Sequence, residues 1–160
     1  TMYPGNGGVL VALLMHHVKL APGQALFLGA GNAHAYLGGT GLEVMSASDN
    51  VVRAAFTRKN VNVDEFLAVA AIAPIDSPVI APSETTTGVW QYPVSTPRFG
   101  AQRIEVIGTH QIKATHHAEI VICTSGDAGA LTHGQACILR EGETLSLTGE
   151  ATLFRTWGTH

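Results

Sequence analysis

The chain has 160 residues, of which 46% are hydrophobic and 13% are charged, and its formal net charge is −3. High hydrophobicity with little charge excludes intrinsic disorder, and the weak acidic balance without a Lys/Arg cluster excludes nucleic acid as a partner. The apolar run at 9–15 is far shorter than the roughly 20 residues of a membrane span. Cys123 and Cys137 lack metal-type spacing and are expected to be buried reduced thiols, with a disulfide between them as the alternative. We therefore expect a cytoplasmic protein that does not cross a membrane.

Glycine and proline divide the first half of the chain into short segments. In the turn Ala-Pro-Gly-Gln at 21–24, Pro sets a negative φ and Gly accepts the positive φ that follows. Residues 9–20, which include His16 and His17, are either a strand or a short helix. The strands predicted between later turns cover residues 25–28, 33–37, 42–45 and 51–56. The loop-like opening at 2–8 predicts that the chain begins inside a larger protein.

One helix is predicted at 62–73, where Asn62 is a capping residue, acidic residues occupy the first turn and Pro74 ends the segment. A connector rich in Pro and Thr follows. The strands predicted after it are 89–93, 99–106, 108–115, 118–124, 128–132, 136–139, 144–147 and 151–157. Short strands with regular turns are typical of jelly rolls and small barrels.

An internal repeat supports two related β units. Leu-x-x-Gly-(Gln/Glu)-x-Leu-x-Leu occurs at 20–28 and again at 139–147. Aligning the two copies places Leu153 opposite His34, so the second unit lacks an equivalent of that histidine. The predicted fold is mainly β, with two cupin or jelly-roll barrels. Residues 1–60 are predicted to be the C-terminal part of the first barrel, 61–84 the helix and linker, and 85–160 a small C-terminal jelly-roll domain.

Three motifs identify a family. Asn-Ala-His-Ala-Tyr-Leu-Gly-Gly-x-Gly-Leu-Glu-Val-Met at 32–45, Ser-Asp-Asn-Val-Val-Arg-Ala at 48–54 and Thr-x-Lys at 57–59 resemble the C-terminal part of the type I phosphomannose isomerases. The resemblance is strong over about residues 3–80, whereas residues 85–160 are similar to the family's small C-terminal barrel only in pattern.

The resemblance implies a zinc-dependent cupin that interconverts mannose 6-phosphate and fructose 6-phosphate by proton transfer between C1 and C2. His34 matches the second zinc-ligating histidine of the family. Arg53 matches the active-site arginine, whose charge would stabilise the enediol oxygens. Lys59 and Asp49 are the further catalytic candidates. The substrate-binding candidates are Tyr36 and Glu43.

The chain departs from the family in its metal ligands. The family's zinc is also held by a Gln-x-His motif and a Glu, and no Gln-x-His occurs in this sequence. A single ligand binds zinc weakly, so we expect zinc to be absent or weakly bound and the isolated chain to be inactive. We interpret the chain as the C-terminal portion of such an isomerase.

The interpretation leaves one alternative function and predicts the partners of the chain. The alternative function is a non-catalytic cupin that binds a sugar or sugar phosphate or serves in assembly. The expected partners are a small sugar phosphate and either a second copy of the chain or the missing N-terminal part.

Overall fold

The computed structural model describes residues 4–48 and 50–159. The protein is mainly β, as the sequence predicts, with two short helices. In chain order the elements are α1 (Gly8–Leu14), β1 (Ala25–Leu26), α2 (Val63–Val69), β2 (Val79–Ile80), β3 (Ser83–Thr86), β4 (Val89–Gln91), β5 (Phe99–Lys113), β6 (Ala118–Asp127), β7 (Ala136–Arg140) and β8 (Thr144–Gly158). Neither helix is long and apolar enough to cross a membrane, within the part of the chain that is described.

The chain divides into two compact units. The first unit combines Thr1–Leu20, Leu28–Gly41 and Ala47–Pro78, and the second, here called the β unit, combines Ala21–Phe27, Leu42–Ser46 and Val79–His160. Two short segments from the first half of the sequence therefore belong to the β unit. One is attached by pairing of β1 with β2 and by the Tyr92 hydroxyl, which donates to the Gly23 carbonyl at 2.7 Å.

The β unit contains a six-stranded antiparallel sheet in the order β3-β4-β5-β8-β6-β7. Its two 15-residue strands, β5 and β8, pair along their whole length, with Phe99 opposite Gly158 and Lys113 opposite Thr144. The sequence predicts each of them as two strands broken at a glycine. Those glycines, Gly108 and Gly149, instead lie opposite each other in the ladder, so the register continues through them.

The core of the described residues is built mainly on this sheet, with Ala114, Ala128 and Leu131 contributed by the turns. Alternate residues of its strands point inward, and the most deeply buried apolar side chains are Ile104, Val106, Val121, Cys123, Leu147 and Leu153. Both cysteines are free thiols, and burial raises the pKa of the partly buried Cys137.

The predicted strand at 128–132 is wrong. Ala128 and Leu131 are buried in a turn, where the Ala128 amide donates to the Leu131 carbonyl at 2.9 Å. One isolated bridge, from Asp127 to Thr132, closes the same turn. The apolar residues of this segment are therefore buried by a turn that folds back on itself rather than by a strand.

The first unit contains two of the segments predicted as strands in the first half, 33–37 and 51–56, and it has no strand ladder among its described residues. Residues 42–45, in the β unit, also lie outside any strand. These three predictions are wrong. Alternation of apolar side chains shows only which residues would share a face of a strand, and a strand forms only where a neighbouring backbone can hydrogen-bond to it. The short-helix alternative holds for α1.

The predicted helix is confirmed as α2, with the Asn62 side chain accepting from the Glu65 amide at 3.1 Å. It ends at Val69, earlier than the sequence predicts. The reason is that the Ala71 amide donates to the Gly31 carbonyl at 2.9 Å and leaves the helical pattern.

The repeated sequence forms the same turn in both copies. In residues 21–24 the Gln24 amide donates to the Ala21 carbonyl at 3.0 Å, and the Ala21 amide donates to the Gln24 side chain at 2.8 Å. In residues 140–143 the corresponding bonds are 3.0 and 2.8 Å, with Glu143 in the place of Gln24.

A third copy of the turn, at residues 132–135, has the same two bonds at 2.9 Å each. The repeat in the sequence does not reveal it because the strand that follows, β7, has Cys137 in the place of the first leucine of the pattern. The third residue of every copy is a glycine with φ between 82° and 85°, so the turn requires the left-handed backbone that glycine adopts without steric cost.

Replacing this glycine should destabilise the β unit. Gly142 has open space around its Cα, so Gly142→Ala adds only the cost of a left-handed alanine, about 1–2 kcal/mol. The measurement is urea unfolding followed by tryptophan fluorescence, since both tryptophans, Trp90 and Trp157, lie in the β unit. Glu141→Ala, next to it in the same turn, is the control and should stay within about 0.5 kcal/mol of the parent. Equal stability of the two variants would contradict the assigned role of the turn.

Candidate functional site

The glycine-rich turn before His34 is held by the end of α2. The Asn32 amide closes the turn on the Gly29 carbonyl at 3.3 Å, and Ala71 bonds the Gly31 carbonyl as described above. A Cβ at Gly31 would lie 2.5 Å from the Val69 carbonyl oxygen, a separation that real Cβ atoms do not show. Only glycine therefore permits this approach, and it fixes where the chain leaves the turn towards His34.

His34 is oriented by its own backbone. Its Nδ1–H donates to the Asn32 carbonyl at 3.0 Å, and its ring meets the Tyr36 ring edge-on with centroids 6.2 Å apart. A histidine that donates from Nδ1 keeps its lone pair on Nε2, the form that binds metal ions. Both side chains are exposed. The structure thus brings together the predicted site residues His34 and Tyr36.

Arg53 and Lys59 lie on either side of a tight segment. Both side chains are exposed, and the Lys59 amide donates to the Thr57 hydroxyl at 3.0 Å. Between them, Phe56 has φ of +53°, which is rare for a bulky side chain. The start of α1 packs closely on this segment, because a Cβ at Gly8 would overlap the Cβ of Ala55. Helix α1 therefore supports the segment that carries Arg53.

Two predicted site residues remain, Glu43 and Asp49. Glu43 is exposed and belongs to the β unit. Asp49 lies outside the described residues. Within residues 4–48 and 50–159 there is no group of three or more His, Cys, Asp and Glu side chains that could hold a metal ion. His34 can supply one ligand to a zinc ion, but the described residues do not form a complete zinc site.

A second polar cluster lies in the β unit and is not predicted from the sequence. Glu119 is fully buried, and its carboxylate accepts from Arg155 at 2.5 and 2.8 Å and from the His116 Nδ1–H at 2.9 Å. The backbone amides of Thr115 and His116 donate to it as well, at 2.9 and 3.1 Å. The His116 ring stacks on Trp157, with centroids 4.7 Å apart.

The electrostatics of this cluster indicate a structural role. Burial alone would raise the pKa of Glu119, but hydrogen bonds from Arg155, His116 and the Thr115 amide outweigh it and lower the pKa to about 2. The Glu119 charge is thus balanced by Arg155 and is enclosed, so it has no proton to exchange near neutral pH. The carboxylate instead joins the turn between β5 and β6 to strand β8.

A sequence signal for this cluster exists. Glu119 lies on the same face of β6 as the buried Val121 and Cys123, and Arg155 lies on the same face of β8 as Leu153. Charged residues of opposite sign at inward positions of two strands predict a buried ion pair once the strands are known to be neighbours. The fold makes β6 and β8 neighbours and places Val121 opposite Arg155.

Comparison with known proteins relates the sequence and fold of the chain to one class of protein. No protein-family model matches the chain. The chain superposes on the crystal structure of apo mannose 6-phosphate isomerase from Salmonella typhimurium with a TM-score of 0.74 and 29% identity, over 99% of this chain and 43% of that chain. Fold and sequence together therefore define a homologue of the sugar-phosphate isomerases.

The particular relatives are mannose-6-phosphate isomerases, so the resemblance to the type I phosphomannose isomerases is confirmed. The curated enzyme of Salmonella typhimurium is 31% identical over 158 residues, which is 98% of this chain and 40% of the relative. The chain thus spans about 40% of the length of that relative.

One of the related structures contains ligands. It is the mannose 6-phosphate isomerase of Salmonella typhimurium bound to substrate and a zinc atom, which matches 72% of this chain and 32% of its own with a TM-score of 0.51 and 22% identity. At this identity the likeness supports the fold alone.

The buried carboxylate predicts a specific loss of stability in acid. The pKa of Glu119 falls from 4.5 to about 2 on folding, so its contribution is complete above pH 5 and is lost as the pH falls towards 2. Because one pKa unit corresponds to about 1.4 kcal/mol, the loss is on the order of 3 kcal/mol. Urea unfolding followed by tryptophan fluorescence at several pH values measures it.

Two variants isolate the contribution of this residue. Glu119→Gln should be less stable at pH 7 and should show a flatter pH dependence, whereas Glu141→Gln, on the exposed neighbouring turn, should follow the parent. A parent whose free energy of unfolding is unchanged between pH 5 and pH 3 would show that the lowered pKa is wrong.

Proposed function

We propose that this chain contributes part of the active site of a mannose-6-phosphate isomerase. The observation that carries the proposal is the match of 98% of the chain to a curated enzyme of that name. That match is supported by superposition of 99% of the chain on a solved structure of the same enzyme. The reaction would be the interconversion of mannose 6-phosphate and fructose 6-phosphate, and the sugar phosphate is the proposed substrate.

His34 is the proposed zinc ligand. Its Nε2 is the nitrogen that would bind the metal, because Nδ1 is used in the bond to the Asn32 carbonyl. The described residues do not form a complete zinc site, so the other ligands must come from outside them. Bound zinc would polarise or hold the sugar oxygens. The bond to Asn32 and the edge contact with Tyr36 fix the direction of the imidazole before any metal arrives.

Arg53 is the proposed charge-stabilising residue. Moving a proton between adjacent carbons places negative charge on the enediol oxygens, and a guanidinium beside them lowers that cost. Lys59 and Asp49 are the proposed partners for the proton transfer. Tyr36 and Glu43 are proposed to bind the sugar hydroxyls, which suits a phenol and a carboxylate.

The finer architecture is part of the same proposal. We infer that residues 1–60 form part of a first cupin barrel, that 61–84 form the helix and linker, and that 85–160 form a small jelly-roll domain. The continuous sheet from β3 to β8 and its buried core support the last assignment. Association with an N-terminal part or with a second copy is proposed for the first barrel.

Substitution of the arginine tests the catalytic assignment. In the longest natural form of the protein, Arg53→Ala should lower turnover of mannose 6-phosphate by about 10²–10³-fold, the loss typical of one oxyanion-stabilising group. Bound zinc, measured by elemental analysis, should be unchanged. Arg58→Ala removes an exposed arginine five residues away and should leave turnover near the parent value. Loss of zinc from Arg53→Ala without another defect would contradict the role.

Substitution of the histidine tests the metal assignment. His34→Ala in the same form should lose zinc and activity together, because one ligand of a small set is removed. His17→Ala, another exposed histidine, should keep both. A natural form that binds no zinc and turns over no mannose 6-phosphate would refute the isomerase proposal, and binding of the sugar phosphate without turnover would support a non-catalytic cupin.

A further inference from the structure

A cavity of about 290 Å³ lies within the β unit, and none of the predicted site residues that are described lines it. Its wall is built by strands β3, β4, β5 and β8 of the six-stranded sheet. The volume corresponds to roughly ten water molecules at about 30 Å³ each. The cavity is therefore large enough for a small organic molecule.

The cavity is formed by a bend in strand β5. Gln102 Oε1 and the Lys113 carbonyl both accept from the one guanidinium of Arg155, at 3.3 and 3.1 Å. A straight strand would separate these two residues of β5 by about 36 Å. Gly108 and Gly149 lie opposite each other between the two ends of the ladder, with φ of +82° and +141°, and allow the bend. Both halves of β5 thus line one cavity.

The wall carries positive charge and no carboxylate. Lys113 and Arg155 are cationic, His110 is a third nitrogen base, and no Asp or Glu lines the cavity among the described residues. Glu119 pairs with Arg155, but it is fully buried and is not part of the wall. The charge of Lys113 is therefore left over, and it favours an anion in the cavity.

Several hydrogen-bond donors of the wall are unused. The guanidinium of Arg155 has five N–H groups, of which two donate to Glu119, one to Gln102 and one to the Lys113 carbonyl. One N–H on Nη1 therefore remains. Gln102 accepts through Oε1, and neither its Nε2 nor the half-buried His110 ring has a hydrogen-bond partner among the described residues. Such donors suit the oxygens of a carboxylate or a phosphate group.

The apolar part of the wall indicates the rest of the ligand. Val89, Ile104 and Ile112 are buried and line the same cavity. Small-molecule sites usually combine an apolar wall with a few placed polar groups. We propose that this cavity binds a small organic anion, whose carboxylate or phosphate group is held by Lys113, Arg155 and the donors beside them and whose short hydrocarbon part lies on the apolar wall.

Three probes with the same hydrocarbon part test the site. The isotope-labelled 160-residue chain is titrated with butyrate, butyl phosphate and butanol at constant ionic strength and is followed by NMR. We expect saturable shifts of the Gln102 side-chain amide and of the backbone amides of residues 110–113 with one or both anions, and none with butanol. Saturation by butyrate alone identifies a carboxylate ligand, and saturation by butyl phosphate alone identifies a phosphate ester.

Matched variants locate the charge that binds the anion. Lys113→Gln should raise the Kd of the anion about fivefold, the upper range for one exposed charge pair. Arg140→Gln removes an equal charge from an exposed position of β7 outside the wall, so its Kd should stay close to that of the parent. His110→Ala should also weaken binding.

Three results would overturn this proposal: no saturable shift with either anion, equal binding of butanol, or equal affinities of Lys113→Gln and Arg140→Gln. The titration needs neither zinc nor isomerase turnover. Its failure would therefore leave the proposed function in place, and a natural form without isomerase activity would leave this site in place.

Discussion

The ladder between β5 and β8 is the interaction on which the β unit depends. It joins two 15-residue strands over their full length and places β4 on one side and β6 on the other. The inward side chains of these strands then make the core, from Ile104 and Val106 to Leu147 and Leu153. Glu119 and Arg155 add the polar counterpart, because their bonds tie the turn between β5 and β6 to β8. The apolar and the polar contacts thus stabilise the same three strands.

The first unit lacks such a ladder among its described residues, so strand pairing does not hold its predicted site residues in place. His34, Tyr36, Arg53 and Lys59 are exposed on irregular segments. They are positioned by close backbone approaches: Gly31 against the end of α2, and Gly8 against Ala55. These approaches fix short stretches of backbone. They do not bury the apolar side chains around them, many of which are exposed.

Much of this could be predicted from the sequence where the signal is local. The helix α2, its Asn62 cap, the turns at 21–24 and 29–32, and the mainly β class all follow from residue types over a few positions. The motif around His34 and Arg53 identified the relatives in the same way. What failed was pairing. Gly108 and Gly149 suggested strand ends because each was considered alone, while their position opposite each other allows both strands to continue.

The failure to predict pairing also explains why the buried Glu119 cluster was not predicted and why strands were wrongly predicted in the first half. Glu119 and Arg155 are 36 residues apart, and only the neighbour relation of β6 and β8 makes them partners. Residues 33–37 have the alternation of a strand, but alternation does not supply the backbone that must bond to it. Sequence reasoning therefore worked for properties of a segment and failed for properties of a pair of segments.

The repeated turn allows the two halves of the chain to be compared directly. The same bonds recur at residues 21–24 and 140–143, so the two halves of the chain share a local scaffold. His34 follows the first copy, and Leu153 holds the aligned place after the second. Leu153 is fully buried because β8 has neighbours on both sides, whereas His34 is exposed on a segment that joins no described ladder. One scaffold thus serves a closed core in one half and an open surface, proposed to bind a ligand, in the other. The difference comes from strand pairing rather than from the turn.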